Sequence, residues 1–192
     1  MILEGIVTTR SANGEIHIAP MGPRVEKTNF DRFLLRPYQT STTYQNLARD
    51  RQGVLHVSDD VSLFVDGALR DFETLPPHRD SETVDGFVLT EACRFFEFRV
   101  LSIDESSERT EMDCQVVQSG ELRPFWGFNR ARHAVLEAAI LATRVHLLDP
   151  AEIRRELERL KIVVDKTAGE TEHLAFEKIV RYLDASWQAD QS

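Results

Sequence analysis

The chain begins with apolar and polar residues that alternate with a period of two, which predicts β-strands. Two such runs, Ile2–Arg10 and the run that starts at Ile16, flank the dipeptide Asn13-Gly14. Asn-Gly favours a type I′ turn because both central residues of that turn need positive φ. The sequence therefore predicts that the chain opens with a β-hairpin.

Further strands are predicted over Asn29–Arg36, Val54–Ser58, Cys93–Ile103 and Thr110–Gln118. The last two are joined by a short polar link, which predicts a second hairpin. About six strands with two hairpins, not alternating regularly with helices, favour a closed or split β-barrel over a doubly wound sheet. The predicted fold class is mainly β with α, a split β-barrel followed by helices.

Two helices are predicted inside this β region. The first runs from Tyr44 and ends before Gly53, which we interpret as the residue that follows its C-terminus. The second follows Asp59-Asp60, a pair that caps a helix more simply than it forms an acid–base site. Residues 75–86, with two prolines and many charges, are predicted to form a surface loop.

From Asn129 onward the apolar period changes to that of helices, with Asn129 as the predicted cap of the first. Asp149-Pro150 ends that helix and begins a second, and a third follows Gly169. We therefore expect a barrel domain over residues 1–125 and a C-terminal helical subdomain over residues 126–192 that packs on it.

Composition narrows the classes of partner. The 192 residues carry 23 Lys and Arg against 32 Asp and Glu, a net charge of −9, which argues against nucleic acids and anionic membranes as partners. No apolar run approaches the length of about 20 residues needed to span a bilayer, and the N-terminus does not resemble a signal peptide, so we expect a cytoplasmic protein.

The residues that commonly bind metals do not cluster in the sequence. Cys93 and Cys114 lack paired spacing and are predicted to be small core residues in a reducing compartment. His17, His56 and His146 show no ligand spacing, so no metal site is expected, and His56 is interpreted as a core histidine with satisfied hydrogen bonds.

Four consecutive hydroxyl residues, Thr40, Ser41, Thr42 and Thr43, stand at the start of the first predicted helix, shortly after Arg36. The first turn of a helix has unpaired N–H groups and a partial positive charge, and therefore suits a phosphate group. Hydroxyl and guanidinium donors would add to such a site. The alternative is that Ser41 or Thr42 is an ordinary cap and the others are loop residues. Neither a P-loop nor a dinucleotide-binding motif is present.

Several segments together resemble the FMN-binding split barrel of the flavin-reductase and pyridoxamine-oxidase superfamily. They are residues 6–9, the first hairpin with residues 18–22, residues 38–47 and residues 54–60. More narrowly, residues 126–144 resemble the C-terminal helix of a small family of such flavoproteins whose reaction is uncharacterised. The resemblance covers nearly the whole chain and implies FMN binding, but it indicates little about the reaction.

The resemblance implies which residues bind the cofactor. In the wider superfamily the FMN phosphate lies at the hydroxyl-rich start of the first helix, and the ring lies along the second and third strands near a subunit boundary. The residues assigned to FMN in this way are Pro20, Met21, Gly22, Arg36, Tyr38, Thr40, Ser41, Thr42, Thr43 and Asn129. No substrate-contacting or catalytic residue of the superfamily can be matched.

The segment from Trp126 to Asn129 leaves two alternatives open. Its aromatic residues either cover a flavin face contributed by a partner subunit or fill the seam between barrel and helices. For the whole protein we expect a homodimer that binds FMN and carries out a redox step on a small molecule or electron carrier. The alternative is a non-catalytic FMN-binding or scaffold protein in one-carbon or cofactor metabolism.

Overall fold

The computed structural model describes residues 1–26 and 30–189. The chain divides into two compact units. The first, here called the barrel unit, comprises Met1–Ser58 and Leu75–Phe125. The second, the helical unit, comprises Asp59–Thr74 and Trp126–Ser192. The helix after Asp59-Asp60, which the sequence analysis placed within the 1–125 domain, therefore belongs with the C-terminal helices.

The barrel unit contains nine strands and one helix among the described residues. Its strands are β1 Gly5–Arg10, β2 Ile16–Met21, β3 Arg24–Val25, β4 Arg32–Leu35, β5 Gln52–Val57, β6 His78–Asp80, β7 Phe87–Leu89, β8 Arg94–Asp104 and β9 Glu111–Glu121, and its helix is α1 Thr42–Asp50. Seven strands form an antiparallel sheet in the order β2-β1-β5-β8-β9-β4-β3.

This sheet curls until its two ends approach each other. The residues before β1 return to the opposite edge, where Ile2 bridges Arg24 and the Leu3 N–H donates to the Pro23 carbonyl at 3.1 Å. The concave side is filled by apolar side chains, including Phe96 and Phe98, which are almost fully buried. The fold is thus a curled antiparallel half-barrel with helices, which confirms the predicted split-barrel class.

The first hairpin is confirmed, but its turn differs from the prediction. β1 and β2 pair with Arg10 opposite Ile16, so the connecting loop contains the five residues 11–15. Gly14 has a positive φ of 89°, whereas Asn13 is not among the residues with positive φ. The turn is therefore not type I′. The Asn13 side chain accepts the Glu15 N–H at 3.2 Å, a local hydrogen bond that favours a different turn.

Two other local predictions were wrong. Helix α1 ends at Asp50, its C-cap Arg51 has a φ of 55°, and Gly53 lies within β5. A Cβ at Gly53 would lie 3.0 Å from both the Thr8 carbonyl oxygen and the Phe98 ring, so close strand packing explains this glycine. The predicted loop 75–86 contains β6, which pairs with β7 in a separate two-stranded sheet.

The predicted strand Asn29–Arg36 is shorter in the structure, where β4 covers Arg32–Leu35. Asn29 lies outside the described residues. Phe33 and Leu35 are 2% and 0% exposed, as expected for one apolar face. The short strand β3, which pairs with β4, was not predicted because two residues carry too little periodic pattern.

His56 and Glu97 are among the buried polar residues of the barrel unit. His56 is fully buried; its Nε2 accepts the Leu89 N–H at 3.0 Å, and its Nδ1 lies 3.2 Å from the Ile6 carbonyl oxygen, which confirms the prediction of a satisfied core histidine. Glu97, which the sequence analysis missed, accepts the N–H groups of Glu82 and Thr83 at 2.9 and 2.7 Å. Burial alone would raise the pKa of Glu97, but these hydrogen bonds outweigh it and lower the pKa.

The described residues of the helical unit form four helices. They are α2 Val61–Leu69, α3 Arg130–Ala142, α4 Pro150–Thr167 and α5 Glu170–Ala189. Asp60, Asn129 and Asp149 cap α2, α3 and α4. The capping pair Asp59-Asp60, the cap Asn129 and the helix start at Asp149-Pro150 are thereby confirmed. Among the helices of residues 1–26 and 30–189, none combines the length and apolarity that crossing a bilayer requires.

Both cysteines are buried, as predicted, and they form no disulfide with each other. Burial in the apolar core raises the pKa of the Cys114 thiol well above its usual range, which makes it unreactive.

Candidate functional site

The N-terminus of α1 is capped by Ser41. The Ser41 hydroxyl accepts the Tyr44 N–H at 3.1 Å and donates to the Tyr38 carbonyl at 2.8 Å. The Ser41 N–H donates to the same carbonyl at 2.9 Å, and the Gln45 N–H donates to the Ser41 carbonyl at 3.1 Å. Because its one O–H is already used, Ser41 shapes the helix end and has no donor left for an anion.

The donors that remain at this end belong mainly to Thr40 and Thr42. The caps and turns account for the N–H groups of Ser41, Tyr44 and Gln45, which leaves those of Thr42 and Thr43 in the first turn. Within the described residues the side-chain hydroxyls of Thr40 and Thr42 have no hydrogen-bond partner. No acidic residue lies in the first turn to neutralise its partial positive charge. We call this group of open donors the α1 mouth.

The segment before α1 is fixed by pairing with the turn between β8 and β9. Gln39 donates its side-chain amide to the carbonyls of Glu105 and Ser107 at 3.1 and 3.0 Å. Tyr38 bridges Arg109, whose guanidinium lies 4.5 Å from the centre of the Tyr38 ring. These contacts join residues that are about 70 positions apart, so the α1 mouth is positioned by tertiary structure.

Tyr44, in the first turn of α1, also contacts the turn between β8 and β9. Its hydroxyl donates to the Glu105 carboxylate at 2.5 Å, and this hydrogen bond raises the pKa of Tyr44. The bond holds the first turn of the helix against the β8–β9 turn.

Arg36 lies on the same approach to the helix. Its Nε is 3.2 Å from a carboxylate oxygen of Glu111, within ion-pair distance. The same Nε is buried and has no well-aligned hydrogen-bond partner in the described residues. Arg36 is therefore a partly exposed cation whose buried Nε has hydrogen-bonding capacity to spare, and its contribution to an anion site stays a prediction.

His17 links the α1 mouth to the strand predicted to line the ring. Its Nε2 lies 3.1 Å from the Thr43 hydroxyl, across 26 residues of sequence. On the other side of the helix, Asn46 donates to the Thr9 hydroxyl at 2.9 Å and fixes α1 to β1. The sequence analysis considered His17 only as a metal ligand and missed this contact, because no local pattern reports it.

Pro20 and Met21 lie at the far end of β2, and Gly22 follows it. Met21 is four positions after His17, which corresponds to about 13 Å at the rise of a strand. β2 is the edge strand of the sheet and most of its side chains are partly exposed. A ligand with a phosphate at the α1 mouth and a flat group beside residues 20–22 would therefore extend along an accessible strand.

Asn129 lies in the helical unit, and both ends of its side-chain amide are engaged there. Its oxygen accepts the Arg132 N–H at 3.1 Å, and its nitrogen donates to the Thr167 carbonyl at 3.1 Å. The structure thus gives Asn129 a capping role, and we leave it out of the cofactor site proposed below.

Two cavities occur elsewhere in the described residues. One of about 640 Å³ is bordered by residues of β3 and β4, and one of about 240 Å³ lies between α4 and α5. Neither is lined by the α1 mouth, which is an open surface feature of the barrel unit. In the part of the chain that the structure describes, no three His, Cys, Asp or Glu residues come together as metal ligands would.

The chain matches two family models. Residues 3–123 match the N-terminal domain, and residues 129–181 match the C-terminal part, of a family described as protein of unknown function DUF447. The division between the two matches falls in the segment that precedes α3.

Solved structures share the fold. An FMN-bound protein of this family from Methanosarcina mazei is 24% identical, with a TM-score of 0.80 and 94% of each chain covered. The flavin reductase of styrene monooxygenase from Pseudomonas putida S12 is 14% identical, with a TM-score of 0.50, covering 63% of this chain and 80% of its own. Flavoredoxin from Methanosarcina acetivorans is 10% identical, with a TM-score of 0.53, covering 62% and 68%.

Proposed function

The chain belongs to the DUF447 family, and from this premise we propose that it is a flavoprotein that binds FMN at the α1 mouth. The observation that carries the proposal is the similarity, over 94% of both chains, to a family member whose structure contains FMN. The chain's own residues support it, because the α1 mouth offers open N–H and hydroxyl donors where a phosphate needs them.

The donor set fits the chemistry of FMN. The hydroxyls of Thr40 and Thr42 and the N–H groups of the first turn would bind the phosphate, with Arg36 supplying positive charge. Pro20, Met21 and Gly22 would lie beside the ring, where the exposed strand edge allows a flat group to approach the backbone. The flavin supplies hydride and electron transfer when bound, while the protein binds and orients it.

Two measurements test FMN binding. The purified protein is expected to show the visible absorption of bound flavin, or to acquire it on addition of FMN. Riboflavin, which lacks the phosphate, is expected to bind much more weakly than FMN if the α1 mouth is the phosphate site. A colourless protein that also binds no added FMN would overturn the proposal, and equal affinities for the two flavins would overturn the assignment of the phosphate.

Within this proposal we assign a flavin-dependent oxidoreductase activity of the flavin-reductase type, on a small molecule or electron carrier. Support comes from the fold shared with the flavin reductase of Pseudomonas putida and with an NADH:FAD oxidoreductase of Streptomyces globisporus. Anaerobic mixing of the FMN-loaded protein with NADH or NADPH tests it, since bleaching within a turnover time is expected.

A second candidate is a non-catalytic role in binding FMN or carrying electrons. The fold shared with flavoredoxin, and with a Thermus thermophilus protein described only as FMN-binding, favours this alternative. Absence of bleaching by both nicotinamides, together with reduction by a low-potential electron carrier, would select it over the reductase.

A further inference from the structure

A cavity of about 240 Å³ lies between α4 and α5 of the helical unit. Arg154, near the start of α4, contacts Trp187, near the end of α5, so the two helices run antiparallel along the cavity. Its lining includes the apolar side chains of Leu157, Phe176 and Leu183, which are 8%, 6% and 0% exposed. At about 30 Å³ per water molecule, the cavity has room for about eight waters or for one small organic molecule.

One polar atom of a residue that lines this cavity has no partner. Trp187 is 7% exposed, and its indole Nε1 is buried without a hydrogen-bond partner. The indole nitrogen can only donate a hydrogen bond. Buried polar groups of native proteins are normally bonded to protein, water or a ligand. The Trp187 N–H therefore requires an acceptor that the described residues do not supply.

A guanidinium lies beside the same indole. The Cζ of Arg154 is 4.3 Å from the centre of the Trp187 ring. Arg154 is exposed, and within residues 1–26 and 30–189 no carboxylate forms an ion pair with it. A guanidinium has five N–H donors and no acceptor. This end of the cavity therefore offers donors and positive charge, which suit a carboxylate group.

Two carboxylates border the cavity further along the helices. Glu158 of α4 and Asp184 of α5 each lie about one helical turn, or about 5.4 Å along the axis, from the guanidinium and the indole. Neither carboxylate has an ion-pair or hydrogen-bond partner in the part of the chain that the structure describes. Lys161, which also lines the cavity, is already paired with Asp165 at 2.7 Å. Two unpaired negative charges at one cavity favour a cation, so this part suits an ammonium group.

We propose that the cavity between α4 and α5 binds the zwitterion of a free amino acid with an apolar side chain. The ligand carboxylate accepts the Trp187 N–H and pairs with Arg154, whose exposed side chain can shift on the ring to admit it. The ammonium group pairs with Glu158 and Asp184, and the apolar side chain packs against the buried apolar residues of the lining. Both charged groups of an α-amino acid are attached to one carbon atom, so they reach protein groups that lie about one helical turn apart. The site lies within the helical unit and does not depend on the FMN site proposed above.

Three compounds with the same phenyl ring test the chemistry by calorimetric titration. L-phenylalanine carries both charged groups, phenylpropionate lacks the ammonium group, and phenethylamine lacks the carboxylate. For L-phenylalanine we expect a dissociation constant of about 1 mM or below, as for a ligand of about a dozen non-hydrogen atoms. The other two should bind at least about tenfold more weakly, because each lacks a charge-assisted contact. Equal affinity for L-phenylalanine and either analogue would overturn the proposal.

The indole signals in the nuclear magnetic resonance spectrum locate the ligand. The chain contains two tryptophans, Trp126 and Trp187, and the variant Trp126→Phe assigns their two N–H signals in isotope-labelled protein. L-phenylalanine should move the Trp187 signal downfield, because that N–H gains an acceptor, and should leave the Trp126 signal in place. Binding of L-phenylalanine without a shift of the Trp187 signal would contradict the proposed site.

Substitutions test each end of the site. Trp187→Phe keeps an aromatic ring but removes the N–H donor, and the affinity for L-phenylalanine should fall by about tenfold. Glu158→Gln/Asp184→Asn should weaken the binding of L-phenylalanine to about the level of phenylpropionate, without weakening that of phenylpropionate itself. The matched control is Arg155→Met, which lies on α4 outside the cavity lining and should change neither affinity.

The measurements on the wild-type protein decide the proposal even if Trp187→Phe does not fold. L-phenylalanine that produces neither heat nor a shift of the Trp187 signal, at about ten times the expected dissociation constant, overturns it. A Trp187 signal that instead moves with protein concentration would assign the cavity to a contact between two copies of the chain, which also overturns it. None of these results depends on FMN binding, so failure of this proposal leaves the proposed function intact.

Discussion

The N-termini of α1 and α2 are capped by different chemical groups, and the difference distinguishes the proposed binding site from a helix end with a purely structural cap. Helix α1 has the neutral cap Ser41 and no acidic residue in its first turn. Helix α2 has the cap Asp60, whose carboxylate accepts the Ser62 N–H at 3.0 Å. An ionised cap neutralises the positive end of a helix, whereas a hydroxyl cap leaves that charge for a ligand.

The same distinction extends to other polar groups of the barrel unit. His56 and Glu97 have their hydrogen bonds completed by neighbouring strands and loops, while Thr40 and Thr42 do not. Substitution of a polar residue whose hydrogen bonds are satisfied within the protein should therefore lower stability. Substitution of a polar residue whose hydrogen bonds are unsatisfied should lower ligand affinity. The following predictions test this contrast, beginning with the largest expected effect.

The largest effect is expected from a negative charge in the α1 mouth. Thr42→Asp should weaken FMN binding by about 3 kcal/mol, or roughly 100-fold, because a carboxylate replaces a phosphate-binding donor and repels the phosphate. The helix should remain intact, since an acidic residue is favourable in a first turn. Flavin fluorescence titration measures the affinity. Ser62→Asp in α2 is the matched control and should leave it unchanged, and an equal loss in both variants would remove the contrast between the helices.

His56, a buried residue whose hydrogen bonds are satisfied within the protein, is expected to make stability depend on pH. Burial lowers the pKa of His56 to about 4, so the folded protein binds this proton less readily than the unfolded chain does. The contribution of neutral His56 to the free energy of unfolding is therefore complete above pH 6.5, the pKa of the unfolded chain. It is lost progressively as the pH falls from 6.5 towards 4. The total is about 3 kcal/mol at 1.36 kcal/mol per pH unit.

Urea denaturation at several pH values measures this dependence. In a His56→Gln protein that still folds, the free energy of unfolding should depend less on pH, because the proton of His56 no longer contributes. Substitution of the exposed His146 by Gln should leave the pH dependence unchanged. A wild-type stability that stays constant between pH 7 and 4 would contradict the prediction.

Removal of the open hydroxyls should affect binding and not folding. Thr40→Ala/Thr42→Ala should weaken FMN binding by about 2 kcal/mol through loss of charge-assisted hydrogen bonds. The melting temperature without flavin should stay within a degree or two, because neither hydroxyl has a partner in the described residues. Calorimetric titration with FMN and riboflavin separates the contribution of the phosphate from that of the ring. Only the affinity for FMN should change.

The smallest effect is expected at the caps. Ser41→Ala and Asp60→Ala should each lower the free energy of unfolding by about 1 kcal/mol, because each removes the acceptor of a first-turn N–H. Urea denaturation without flavin measures both. A loss of FMN affinity in Ser41→Ala larger than that in Thr40→Ala/Thr42→Ala would show that the cap hydroxyl itself binds the phosphate.

Much of the fold could be predicted because its signals are local. The capping pair Asp59-Asp60, the cap Asn129 and the helix start at Asp149-Pro150 were each recognised from residues just before a helical period. The hydroxyls at the start of α1 were recognised in the same way. The errors occurred where neighbours in space decide the outcome: Gly53 lies in β5, where Thr8 and Phe98 leave no room for a side chain, and does not follow the end of α1.

The candidate site was only partly predictable for the same reason. The sequence indicated four hydroxyls at one helix end but did not distinguish among them. In the structure, Ser41 is used by the cap and Thr43 contacts His17, which leaves Thr40 and Thr42 as open donors. Asn129 differs from Thr40 and Thr42, because both ends of its side-chain amide form hydrogen bonds within the helical unit.

The sequence by itself determined the strand and helix periods, the helix caps and the acidic character of the chain. These properties depend on residues within one or two turns of each other, and short-range geometry fixes them. Only the tertiary structure decided that Thr43 is engaged while Thr40 and Thr42 stay open. The Thr43 hydroxyl contacts His17, 26 residues earlier in the chain, and such a contact exists only once the fold has brought β2 beside α1.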